Sequence, residues 1–546
     1  MNPTRLIFAT LRLTSSAAVA RCAVKLERYM MMVMPNSLRK LAASIALLGV
    51  IVATGWAMTT SPALAQVPEK HKHATGPLRV HPTNPRYFTD GTKNPDGSFK
   101  AVYLTGMHTW NSVQDGAFLT AENADPPPAF DFTAYLDFLQ RHNHNFMRLW
   151  RFELTKFHYW LDTDNARLRG PGSRQGIQYS QPHPWLRTGP GTALDGKPKF
   201  DLSRFDPAYF ERLHSRVTAA RDRGIYVSVM LFEGGALRAT GKPWCWDSHP
   251  FNRRNNIQGV EADANGDGVG VEFHTRQTPE ITEFQENYLR QVVDAVNDSD
   301  NVLYEVGNEM AYSPANTLWQ YWVINFIKEY EATKSKQHPA GMVSPMHHPW
   351  RDSIGDDPRN AALFDGPADW VSPGNRGGLG YDDNNVPPIA DGKRVVLLDT
   401  DHLWGIGGDH AWVWKSFVCG HNPIFMDTLP EISEHVLKYP QATGIRGAMG
   451  HTRSFAERMN LVAMTPRDDL SSTKYCLANP GHEYLIYLPE GGKATVDLSS
   501  AKGRIAVEWF TPRTGEKREG EQVKGGAKHS FQAPFTGDAV LYLKVE

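Results

Sequence analysis

Asn301-Val302-Leu303-Tyr304-Glu305-Val306-Gly307-Asn308-Glu309 reads as one short strand that runs straight into a polar pair. Its β-branched, aromatic and apolar side chains suit a pleated, buried surface. Outward from this stretch the same form recurs. Ala101–Leu104, Phe146–Leu149, Tyr226–Leu231, Met342–Ser344, Trp370–Ser372, Arg394–Leu398 and Pro423–Met426 are further strand candidates, and with Val302–Val306 they make eight. Helical stretches separate them. Asp131 caps a run with Phe132, Tyr135, Leu136 and Leu139 on one face; Asp206-Pro207 supplies a cap and then proline at the first helical position; Pro279 opens a third helix. Strands alternating with helices predict a parallel α/β fold, and eight strands is the number that closes a (β/α)8 TIM barrel.

Beyond the barrel the texture changes near residue 470. Glu483–Leu488, Ala494–Leu498, Ile505–Phe510, His529–Gln532 and Ala539–Val545 alternate over short lengths between turn residues, which predicts a small all-β sandwich over 470–546. The connection into it is short, so the sandwich is expected to pack on the barrel, with Trp509 or Phe510 in the seam. At the other end Leu41–Met58 is apolar after Arg39 and Lys40, and Ala63-Leu64-Ala65 offers a cleavage site. Residues 1–65 are therefore expected to be a leader with a signal peptide, with Met34 a candidate natural start, and 66–465 the barrel. A secreted or periplasmic protein follows, with no membrane partner after cleavage.

Charge adds an exclusion. Lys plus Arg (58) nearly balances Asp plus Glu (59), so no global field argues for nucleic acid. Cys22 lies in the leader, and Cys245, Cys419 and Cys476 form neither a disulfide framework nor a zinc pattern.

Chemistry on such a barrel sits at the C-terminal ends of the strands. Here those ends carry His108, Trp110 and Asn111; Arg148, Trp150, Arg151 and Glu153; Glu233; Asn308-Glu309; His347-His348-Pro349-Trp350; Asn375; Asp399-Thr400-Asp401-His402, with Trp404 just beyond; and Asp427. The exposed faces of Trp side chains suit the C–H surface of a pyranose.

The Val302–Glu309 stretch, taken with Arg148 and the eight strands, resembles the large clan A of retaining glycoside hydrolases, whose acid/base Glu follows an Asn on the fourth strand. The resemblance implies that Glu309 protonates the leaving oxygen and that Asn308 meets the 2-hydroxyl of the sugar. It also implies that Arg148 lies beneath the nucleophile. The clan expects a Glu at the end of the seventh strand; this chain has Asp399 and Asp401 there, so both stay candidates, Asp399 slightly ahead, and inversion stays open if a water intervenes. Glu305 is expected to be a buried partner of Arg148 or a histidine. His108, Trp110, Trp150, Glu233, His347, His348, His402 and Trp404 are candidate substrate contacts. The run Trp509-Phe510-Thr511-Pro512-Arg513-Thr514-Gly515 is similar to a small collagen-binding-type domain that follows barrels of this sort.

Two other classes compete with a glycosidase: a metal-dependent hydrolase using His108, His347, His348, Asp401 and His402, and a carbohydrate-binding protein without turnover. Asp263-Ala264-Asn265-Gly266-Asp267-Gly268 matches the first half of a calcium loop, with His274 rather than Glu at the twelfth position, so Asp263, Asn265 and Asp267 are candidate ligands for a structural calcium; no other cofactor is expected. Arg151, Arg174 and Arg187, in or near the insertion after the second strand, hint at an acidic sugar or a sulfated glycan.

Overall fold

Eight parallel strands close into a barrel: β1 (Gly106–His108), β2 (Phe146–Leu149), β3 (Tyr226–Glu233), β4 (Val302–Asn308), β5 (Ala340–Val343), β6 (Trp370–Ser372), β7 (Val395–Asp399) and β8 (Asn422–Met426). Each strand pairs with its sequence neighbour, and β8 closes onto β1 through Met426↔His108. This computed structural model describes residues 73–116, 125–157, 178–240, 243–346, 359–375, 377–381, 386–433 and 438–546. None of its described helices is long and apolar enough to cross a membrane.

The pleat sorts the strand residues by depth. Successive side chains alternate between the barrel interior and the surrounding helices. Phe146, Leu303, Trp370, Leu397 and Ile424 fill the lower interior, and Met147, Tyr304, Val306, Val396 and Leu398 face outward into the main core. One step up, the inward positions turn polar: Arg148, Ser228, Glu305, Ser372 and Asp399 are all buried. Gly341 is required by this packing, because a Cβ there would lie 1.9 Å from the Trp370 ring.

The helices start where their caps predict. Asp131 accepts from Ala134 N at 2.9 Å ahead of Phe132–Arg141, and Asp206 accepts from Ala208 N at 2.9 Å ahead of Pro207–Arg221. Pro279–Val296 begins on its proline. The first strand is a correction. Ala101–Leu104 is not in the barrel; Val102 forms a bridge with Phe88, and the barrel strand is Gly106–His108. The insertion after β2 also holds a hairpin, Trp185–Thr192 with Pro198–Phe205.

The C-terminal region forms a seven-stranded antiparallel sheet covered by the pair Lys493–Asp497 and Lys528–Gln532. It packs on the barrel helices His410–Val418 and Ala442–Arg458. Phe510 lies 5.8 Å from Trp414 and 5.2 Å from Phe455, while Trp509, on the opposite face of the same strand, turns into the sandwich's own core. Arg458 pairs with Glu508, and His410 reaches Asp538 at 3.1 Å, so the seam has a charged rim. Cys245, Cys419 and Cys476 are buried.

Candidate active site

Arg148 organises the barrel mouth. From β2 its Nε and Nη2 donate to the two Glu305 oxygens at 3.0 and 2.6 Å, and its Nη1 donates to Asp399 at 3.2 Å and to Asp401 at 3.0 Å. Nη2 also reaches Asn308 Oδ1 at 2.8 Å. Burial lowers the guanidinium pKa, and Glu305 and Asp399 more than reverse that. Trp150 lies beneath this group: Arg148 sits 4.9 Å over its ring, which stacks on His108 at 5.7 Å.

Asp399 ends β7 and caps the short helix Thr400–Leu403, its Oδ1 accepting from Asp401 N at 3.0 Å. His108 Nε2 lies 3.0 and 2.9 Å from its two oxygens. Against burial, the His108 ring and the Arg148 guanidinium hold the Asp399 carboxyl well below the usual carboxylate range. His108 itself is lowered by burial. Asp401 stands differently. Burial, then the neighbouring carboxylates of Glu309 and Asp399, push its carboxyl well above that range, against the pull of Arg148. His402 Nε2 reaches Asn308 Oδ1 at 3.2 Å and its Nδ1 reaches Ser372 at 2.8 Å, which fixes both the ring and the Asn308 amide.

Glu309 follows β4 in the left-handed region, φ 47°. The chain can turn there because Gly307 has no side chain: a Cβ would lie 2.1 Å from the Met310 methyl and 2.7 Å from Phe232 O. Met346 N then donates to Met310 O at 2.8 Å and Tyr312 N to Met346 O at 2.7 Å, clamping the segment after the turn. Glu309 is 5 % exposed and faces the start of the helix Gly235–Thr240, where a Cβ on Gly235 would lie 3.1 Å from its Oε2. Glu233, at the end of β3, accepts from Gly235 N at 2.7 Å and Ala236 N at 3.2 Å. Burial, then Glu153 and Glu309, push the Glu233 carboxyl up to about 8 despite those two donors.

A second cluster, absent from the sequence expectations, lies behind Glu233. Glu153 takes His249 Nε2 at 3.3 Å and His274 Nε2 at 3.1 Å, with Arg151 at 3.7 Å, and it accepts from Glu233 N at 3.1 Å. Against burial, His274 and His249 hold the Glu153 carboxyl well below its usual range. The sequence signals for it were Arg151 and Glu153, just past β2; the two histidines lie 96 and 121 residues further along the chain.

Of the other candidates, Trp110 is buried, and Trp404 is half-buried with its ring 5.3 Å from Trp412. His347 and His348 lie outside the described residues, as does Arg174. Arg151 is buried among Tyr288, Phe232 and Trp185 and bonds Leu231 O, and Arg187 is paired with Asp195 over Phe200. Neither points an open guanidinium at the mouth, so the acidic-sugar hint loses the two arginines that can be traced. Asp427, just past β8, is taken by Arg446 at 2.6 Å. In the calcium-like loop, carboxylate oxygens of Asp263, Asp267 and Glu272 come within 4.8 Å of one another, whereas His274 turns away to Glu153.

Residues 163–365 match a family described as a domain of unknown function (DUF6298), and residues 462–544 match one described as a putative collagen-binding domain of a collagenase. No curated protein matches. Among solved structures, the chain is similar to a glycoside hydrolase family 5 protein from Bacteroides vulgatus ATCC 8482, at 12% identity and TM-score 0.51, over 87% of this chain and 95% of that one. It is also similar to a protein from the same organism described as a putative glycoside hydrolase, at 14% identity and TM-score 0.52, over 87% and 83%. These likenesses establish the fold: a (β/α)8 barrel of the kind seen in glycoside hydrolases, followed by a β-sandwich.

Proposed function

We propose that this protein hydrolyses O-glycosidic bonds of an oligosaccharide or polysaccharide, with Glu309 as acid/base, Asp401 as the second carboxylate, and retention at the anomeric carbon. The observation that carries this reading is the surplus of buried carboxylates at the barrel mouth. One guanidinium, that of Arg148, faces Glu305, Asp399 and Asp401, and Glu309 borders Asp401. Such a site keeps a proton near neutral pH, and a glycosidic oxygen leaves when a carboxylic acid protonates it.

Both oxygens of Asp399 are engaged by His108, Arg148 and a backbone N–H, which supports Asp401 as the group that meets substrate. Two interacting carboxyls titrate as a pair. Attack requires Asp401 ionised against the upward push of burial and of Glu309, with the proton of the pair on Glu309, and the Arg148 guanidinium 3.0 Å away is the group that favours the Asp401 charge. In the first step Glu309 gives that proton to the glycosidic oxygen as an Asp401 oxygen bonds to the anomeric carbon and the leaving sugar departs as an alcohol. In the second, Glu309 takes a proton from water, whose oxygen displaces Asp401 and restores both carboxyls.

Glu309→Gln keeps the shape and cannot donate, so kcat on natural glycosides is expected to fall about 10²–10⁴-fold, and far less on aryl glycosides whose leaving group needs no proton. Near wild-type turnover on natural substrate would sink the assignment. NMR of the first-formed product should show the starting anomer; the opposite anomer would make Asp401 a base acting through water. A panel of plant and bacterial polysaccharides would identify the substrate. The leader supports a site of action outside the cytoplasm, which N-terminal sequencing of exported protein tests by finding Gln66 first.

A further inference from the structure

The loop Asp263–Gly268 is closed by its own hydrogen bonds. Asp263 Oδ2 accepts from Gly268 N, Asn265 Oδ1 from Asp267 N, and Asp267 Oδ1 from Val269 N, each at 2.8 Å. These bonds use one oxygen of each aspartate. Glu272 joins them from the single-turn helix Val271–His274, and carboxylate oxygens of the three acids come within 4.8 Å of one another.

A second, independent observation concerns what these oxygens lack. Asp263 is only 9 % exposed, and among the described residues its Oδ1 has no hydrogen-bond partner; Glu272 Oε2 is likewise buried without one. An anionic oxygen withdrawn from water and left without a donor is costly. Asn265 Nδ2 spans the gap between Asp267 (3.1 Å) and Glu272 (2.8 Å), but it is a neutral amide between two anions. The arrangement lacks positive charge at its centre.

We propose that this cluster binds one calcium ion through the carboxylates of Asp263, Asp267 and Glu272, the ion displacing the Asn265 Nδ2 from the gap so that the amide turns its oxygen inward, with the Val269 carbonyl completing the shell. An all-oxygen donor set with three carboxylates suits a hard, large cation rather than zinc. The spacing supplies oxygen at the first, third and fifth positions and a carbonyl at the seventh, as in a calcium loop. The closing acid comes from the tenth position instead of the twelfth. That shift leaves the twelfth residue, His274, to bind Glu153 at 3.1 Å. One short helix thus carries a calcium ligand on one side and a support of Glu153 on the other.

The test uses the full mature chain, stripped with EDTA, dialysed and titrated with calcium chloride. Calorimetry should find one ion per chain, and saturating calcium should raise Tm by about 2 °C or more. Magnesium at the same concentration should give less than half that rise. The double variant D263N/E272Q keeps the shape and lowers the charge. It should lose the calcium-dependent rise while its calcium-free Tm stays at or above that of the wild type, because carboxylate crowding is relieved. The proposal is overturned if the wild type binds no calcium, if the double variant keeps the rise, or if its calcium-free Tm falls. These readouts need no turnover, so they stand apart from the proposed reaction.

Discussion

Around Arg148 one guanidinium faces the carboxylates of Glu305, Asp399 and Asp401, whereas around Glu153 one carboxylate faces His249, His274 and Arg151. The two clusters are charge-inverted. The first has more acids than its one guanidinium can neutralise, and Asp401, which borders Glu309, has its carboxyl driven up. The second has one acid supplied with donors to excess, and its carboxyl is held low. Glu233 lies between them, raised by burial, by Glu153 and by Glu309. Burial thus prevails over the cation at Asp401 and gives way to the donors at Glu153.

Removing the hub of the first should do the most damage. Arg148→Met leaves three buried carboxylates without their cation and should cost about 3–5 kcal/mol in urea melts at pH 7. The loss should shrink toward pH 5 as the orphaned acids protonate. A loss under about 0.5 kcal/mol, typical of a surface site, would dissolve the contrast.

The two aspartates sharpen it next. Asp399→Asn trades a charge-assisted contact with His108 and Arg148 for a neutral one and should cost about 1.5–3 kcal/mol. Asp401→Asn should leave Tm near wild type and abolish turnover. Equal stability losses in the two variants would show that both serve the scaffold. In the second cluster, Glu153→Gln should cost about 1–3 kcal/mol. It also removes a charge that raises Glu233, so the Glu233 titration should move downward, followed by NMR of a carboxyl-labelled chain.

Glu233→Gln is read as a slope with pH. A carboxyl raised in the folded chain binds its proton more tightly there than when unfolded. It therefore weakens the fold progressively from about pH 4.5, near its unfolded pKa, to about 8. Over that window the stability of Glu233→Gln relative to wild type should rise by about 1 kcal/mol per pH unit, read from urea melts. A flat difference would place Glu233 outside both clusters.

How far the sequence could be read depends on how local each signal is. Seven of the eight strands were legible because β-branched runs such as Val395–Leu398 mark themselves. The first was not: Gly106 must lack a side chain, since a Cβ would lie 2.1 Å from Phe146 O, and Gly-Met-His carries little strand propensity beside Ala-Val-Tyr-Leu. Arg148 was legible through the resemblance to clan A and Glu305 as its expected buried partner, and the pair is observed at 2.6 Å. The Glu153 cluster was not, because His249 and His274 arrive from an insertion whose course no periodicity records. In the sandwich, alternation required Trp509 and Phe510 to face opposite ways, but only the packing decides that Phe510 meets Trp414.

The left-handed backbone at Glu309 carries one more consequence. A side chain in that conformation costs about 1–2 kcal/mol relative to glycine, and this one also sits beside other acids. Glu309→Gly should therefore melt higher than the wild type while losing all turnover. Screening this chain for thermal robustness alone would select against the residue on which the proposed reaction depends, so any stabilisation campaign must fix position 309 before it begins.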